Sequence, residues 1–168
     1  MKNKLLVVTI ILFISLFYSL RADKQIHVTT SQDPPSIKMW LAIDKYAKQY
    51  NIPLQYAYGI AYEETRYTGP FDWNYNPALT SYAGALGPMQ IMPMTDEWMN
   101  KTKFDKKRLL YDIDYNVKTS MKLLRYLHNK YKNWQIVFGC YNTGRPLINH
   151  YARNVFNHKI SWKLNLKK

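Results

Sequence analysis

The 168-residue chain has the length of one domain, and its 47% hydrophobic and 15% aromatic content excludes a disordered or low-complexity polypeptide. One cysteine, Cys140, excludes an internal disulfide, so a packed core must hold the domain together. The net charge of +13 is uneven: residues 23–100 carry 5 basic and 8 acidic side chains, residues 101–168 carry 16 and 3. A basic half favours an anionic polymer or an anionic membrane surface as partner, and also fits a lysine-rich solvated face.

The chain opens with Lys2 and Lys4, then an apolar run from Leu5 to Leu20, then Arg21-Ala22. This pattern predicts an export signal over residues 1–22, either cleaved after Ala22 or retained as a membrane anchor. Expected location is therefore the periplasm or cell envelope. No cysteine adjoins the run, which argues against a lipoprotein. Residues 23–35 are polar and end in Pro34-Pro35, as a linker does. A domain over 36–168 follows.

Ser36 is placed to cap a first helix, in which Ile37, Trp40, Leu41, Ile43, Ala47 and Tyr50 share helical spacing. Asn51-Ile52-Pro53 breaks it, and Pro53 suits the first turn of a second helix ending near Tyr67. A long aromatic loop follows, then two short helices near 89–92 and 95–100. Residues 112–131 form a long amphipathic helix with Val117, Met121, Leu124 and Leu127 on one stripe. Helices over 133–142 and 146–159 complete the chain, and no segment alternates with a strand period. The fold class expected is mostly α.

Within the second helix, Glu64 follows Ala57, Ile60 and Ala61 by seven, four and three residues, which places it on the apolar stripe. Glu63 points about 100° away, towards the edge. An apolar setting favours the protonated carboxyl, as a general acid requires. From the helix alone, an exposed Glu64 paired with Arg66 or a lysine fits as well.

Four further stretches narrow the choice. Glu64-Thr65 is followed by "SYAGALGPMQIMPMT" from Ser81 to Thr95, then by "CYNTG" from Cys140 to Gly144. Between them lies "YNVKTSMKLL", and "YARNV" begins at Tyr151. In order and spacing these resemble the motifs of the soluble lytic transglycosylase catalytic domain, a lysozyme-like helical globule with a substrate cleft, related to goose-type lysozymes. The resemblance spans about residues 38–157. Departures are Pro88 for a leucine, Cys140 for an alanine, Ser120 and Leu123 in the connecting helix, and few residues between Gly144 and Tyr151. The segment between Glu64 and Ser81 is long and carries Tyr67, Phe71, Trp73 and Tyr75, of which Trp73 and Tyr75 could stack on sugars.

The resemblance implies cleavage of the β-1,4 bond between N-acetylmuramic acid and N-acetylglucosamine in peptidoglycan, with Glu64 as acid and then base and a 1,6-anhydro product. It also implies a substrate site drawing on Thr65, Met89, Gln90, Tyr141, Asn142 and Tyr151. Tyr141 is expected to hold Glu64, Thr65 to support its backbone, Met89 to give an apolar wall, and Gln90 and Asn142 to make polar contacts. Gly84 and Gly87 are expected to let the backbone pass close to substrate. Asp72, Asp96 and Asp112 read better as turn or helix-end residues than as a second acid. A muramidase of the same fold and a non-catalytic wall-binding protein are the alternatives. Cys140 reads as a packed residue rather than a nucleophile, and the four histidines lack metal-ligand spacing. No metal, cofactor or nucleic-acid partner is expected, and the chain is expected to be a monomer.

Overall fold

The computed structural model describes residues 32–164, so the export segment over 1–22 and most of the linker over 23–35 lie outside the described residues. The helices are α1 (Pro35–Gln49), α2 (Leu54–Thr65), α3 (Pro93–Asn100), α4 (Lys106–Tyr111), α5 (Ile113–Tyr131), α6 (Trp134–Thr143), α7 (His150–Asn157) and α8 (Ser161–Leu164). Among the described residues there is no strand, only isolated bridges pairing Leu86 with Thr80 and with Ile91. No described helix is long and apolar enough to cross a membrane.

The centre is α5. Its Asp112 cap accepts from the Tyr115 N–H, a bond worth about 1 kcal/mol to the helix. The expected stripe is buried, with Val117, Met121 and Leu124 fully so. Each such side chain contributes about 1.5–3 kcal/mol by leaving water. Helices α1, α3, α4 and α6 pack around α5, and α7 bridges α6 to α2. The α1–α2 corner is tied to α5 by Arg125, whose guanidinium donates to the Tyr50 and Asn51 carbonyls.

Several boundaries differ from expectation for physical reasons. Ser36 does not cap α1, because Pro35 already occupies the first turn, where a missing N–H is harmless. Instead Ser36 is buried and donates to the Pro70 carbonyl. Helix α4 was not foreseen; Asp105 caps it by accepting from the Arg108 N–H. The last expected helix, 146–159, starts only at His150, because the Leu147 backbone lies against Gly139 of α6 where any Cβ would collide. No helix forms at 89–92: Gly87 and Gln90 have φ of 75° and 47°, and the Met89 N–H is taken by a side chain of α5.

Candidate active site

Glu64 sits in the last turn of α2, below a row of buried Ala57, Ile60 and Ala61. The carboxyl is half-buried, and Oε1 accepts a 2.6 Å hydrogen bond from the Tyr151 hydroxyl. Burial raises the Glu64 pKa from 4.5 to about 7, the Tyr151 bond pulls it down, and the neighbouring Glu63 charge adds to the rise. Near neutral pH the group therefore exchanges readily between acid and carboxylate.

Tyr151 occupies the first turn of α7. The cap of that helix, Asn149, accepts from the Ala152 N–H through Oδ1 and donates through Nδ2 to Asn142 Oδ1 at 2.9 Å. Asn142 is exposed on the last turn of α6 and so ties the start of α7 to it.

Tyr141, expected to hold Glu64, does something else. Its hydroxyl lies 2.7 Å from the Met89 carbonyl and 2.9 Å from Ser120 Oγ. A carbonyl only accepts, so the single Tyr141 proton goes to Met89 and Ser120 must donate to Tyr141. Tyr141 thus anchors the 84–92 loop to α5 and α6, and Tyr151 is the tyrosine on the acid. Burial, then the Glu64 charge, keeps both phenols well above their ordinary pKa, so both stay protonated.

The loop has a second anchor. Asn116 on α5 is fully buried; its Oδ1 accepts from the Met89 N–H, and its Nδ2 donates to the Leu86 and Leu109 carbonyls. Gly87 lies against this amide, leaving no room for a Cβ. The close approach that Gly87 permits is therefore to Asn116, while Gly84 has open space around it.

A third anchor is Thr65, beside the acid. Its buried hydroxyl lies 2.9 Å from the Pro88 carbonyl and 2.9 Å from the Tyr75 hydroxyl. Pro88 thus contributes an acceptor that fixes the end of α2. Met89 is completely buried, so its side chain packs in the core and does not form a wall. Gln90 folds back, donating to the Leu79 and Gly87 carbonyls at 3.1 and 2.8 Å. Tyr75 is buried, whereas Trp73 is exposed.

Of the six residues grouped with Glu64, only Tyr151 hydrogen-bonds its carboxyl. Thr65, Met89, Gln90 and Tyr141 shape the loop behind it, and Asn142 positions α7. Sequence reading passed over Ser120 as a departure. The signal was there, since a hydroxyl at 120 falls on the buried face between Val117 and Leu124. The three aspartates are engaged structurally: Asp112 caps α5, Asp72 accepts from the Thr68 hydroxyl, and buried Asp96 accepts from Asn100 and Tyr115. Cys140 is half-buried against the core.

The arrangement offers a half-buried carboxyl held by a tyrosine hydroxyl. Two solved structures resemble it: a complex of the 70-kDa soluble lytic transglycosylase with bulgecin A, and the 70-kDa soluble lytic transglycosylase from Escherichia coli. Each is 26% identical over 68% of this chain, with TM-scores of 0.53 and 0.52. This chain covers 18% of the length of either. Comparison with curated protein sequences finds no significant match. A family model described as the transglycosylase SLT domain matches residues 41–163. That match takes in α2 with Glu64, the anchored loop and Tyr151 alike, and the chain belongs to the SLT transglycosylase domain family.

Proposed function

We propose that the protein is a peptidoglycan lytic transglycosylase that cleaves the β-1,4 bond between N-acetylmuramic acid and N-acetylglucosamine. The observation that carries this reading is Glu64: a half-buried carboxyl raised to about 7 and fixed by Tyr151, on the helix end that the family motif occupies. Protonated Glu64 gives its proton to the glycosidic oxygen as the C1–O bond breaks, and the acetamido group of the muramic sugar closes on C1. This substrate assistance takes the place of a second carboxylate. Glu64, now ionised, removes the proton of the muramic 6-hydroxyl. That oxygen then displaces the acetamido oxygen from C1, giving the 1,6-anhydro end and restoring the acid. Tyr151 stabilises the ionised stage by donating to Oε1.

We further infer export to the cell envelope, where the basic half meets anionic wall or membrane surface. The test is product analysis with Glu64→Gln as control. The native chain should release fragments one water lighter than hydrolysis products, and Glu64→Gln should lose about 10²–10⁴-fold in rate. Fragments of full hydrolytic mass would make the protein a muramidase. Undiminished activity in Glu64→Gln would remove Glu64 from the chemistry altogether.

A further inference from the structure

Helix α2 has a second working face. Tyr62 lies two residues from Glu64, about 200° around the helix, and shares its side with Tyr58. The chain after α7 returns along this side. His158 packs 5.4 Å from the Tyr62 ring, and Trp162 meets Tyr58 and Trp40 edge-on at 5.5 and 6.3 Å. The Trp162 indole also rests on Gly69 in the loop that follows α2. Two adjoining pockets result, sharing Thr68 and Trp162. The outer one, of about 350 Å³, is lined by Thr68, Phe71, Asp72, Trp73, Asn74 and Trp162. The inner one, of about 250 Å³, runs along Tyr58 and Tyr62.

The outer lining has a definite chemical preference. Phe71 and Trp73 are 57% and 67% exposed, so their rings are open to a ligand rather than committed to the core. Asp72, Asn74 and Thr68 supply hydroxyl, amide and carboxylate hydrogen bonding beside them, and the Thr68 hydroxyl donates to Asp72 Oδ2 at 2.9 Å, which orders the rim. Flat apolar surface edged by such groups matches a neutral pyranose, which has C–H faces and a ring of hydroxyl and acetamido groups. The one charged side chain lining this pocket is acidic, which disfavours phosphate or carboxylate ligands. The volume falls in the range of small-ligand sites. The inner pocket gives room for a neighbouring sugar of the same strand.

We propose that the Phe71–Trp73–Trp162 trough is a second saccharide site, which holds an N-acetylated glycan strand on the face of α2 opposite Glu64. The proposal rests on the reading that the protein acts on glycan strands. A strand held there raises the local concentration of polymer at the cleft without touching the acid, in the manner of a tethered second module.

The test uses the full chain carrying Glu64→Gln, to prevent turnover, with tryptophan indoles labelled for NMR. An N-acetylglucosamine tetrasaccharide should shift the Trp73 and Trp162 indole signals and leave those of Trp98 and Trp134 in place. Adding Trp73→Ala should weaken co-sedimentation with insoluble wall sacculi about tenfold at an unchanged melting temperature. The site is overturned if neither indole moves at millimolar tetrasaccharide, if sacculus affinity is unaffected, or if a sugar-free stem peptide moves the same signals. Wall cleavage surviving in Glu64→Gln would instead refute the catalytic reading, and the indole shifts would still decide this site.

Discussion

Tyr151→Phe isolates one hydrogen bond to the acid. The ring stays and the 2.6 Å donor to Glu64 Oε1 is lost. That bond favours the ionised carboxyl, so its loss moves the Glu64 pKa upward from about 7. A hydrogen bond to a charged group is worth about 1.5–3 kcal/mol, and one pKa unit corresponds to about 1.4 kcal/mol. The Glu64 pKa should therefore rise by about one to two units. In kcat/KM against pH, activity needs the protonated acid, so the native enzyme should lose activity as pH rises through about 7. Tyr151→Phe should move that alkaline limb upward by at least one unit, while its plateau falls because the rotamer is no longer held. The assay is release of soluble fragments from sacculi between about pH 5 and pH 9, which spans the alkaline limb of both proteins, with the carboxyl followed by carbon NMR. A limb that stays in place, or moves down, refutes the assignment of Tyr151 as the donor that tunes Glu64.

Other expected outcomes follow from the same contacts. Glu64 has its folded pKa raised from 4.5 to about 7, so the stability it contributes is present below about 4.5 and is lost as pH rises through about 7. Glu64→Gln should thus be more stable than the native chain above pH 7, by up to about 3 kcal/mol before solvent screening is discounted; equal melting temperatures at pH 8 would contradict this. Asn116→Leu strands the Met89 N–H, removes the amide donor to the Leu109 carbonyl and leaves the Leu86 carbonyl with the Ile91 N–H alone, and should cost about 3 kcal/mol in urea unfolding. Ser120→Ala should leave the fold intact and lower kcat more than it raises KM, because it loosens Tyr141 and the loop; a change in KM alone would count against that role. Gly139→Ala should push the Leu147 backbone off α6 and destabilise the chain by about 1–3 kcal/mol, measurable by thermal melting.

How far the sequence announces all this differs from one element to the next. Helix α5 is legible because its buried stripe repeats at helical spacing, and Glu64 is legible because it interrupts a similar stripe on α2. What could not be read is which of two tyrosines ten residues apart reaches the carboxyl. That depends on the Met89 carbonyl capturing the Tyr141 proton, a contact 52 residues distant in the chain. The 89–92 segment reads as helical because Met89, Ile91 and Met92 are apolar, but the Met89 N–H goes to Asn116 of α5, a contact that no local pattern encodes, while the Gln90 and Ile91 N–H groups turn back to Gly87 and Leu86. The site therefore has a locally written acid and a non-locally written frame.

That frame has a bearing on proton traffic. Behind the carboxyl, the chain of hydroxyls runs from Ser120 to Tyr141 and stops at a peptide carbonyl, and Tyr151 points its own proton at Glu64. Neither phenol ionises at any physiological pH. Among the described residues these hydroxyls thus form no proton relay from Glu64, and the half-buried carboxyl trades its proton with substrate or solvent on its exposed side. A proton lent to the leaving sugar must come back from the same substrate or from solvent entering after it departs. Such a setting suits the proposed reaction, in which ring closure by the muramic 6-hydroxyl returns the proton within one bound complex.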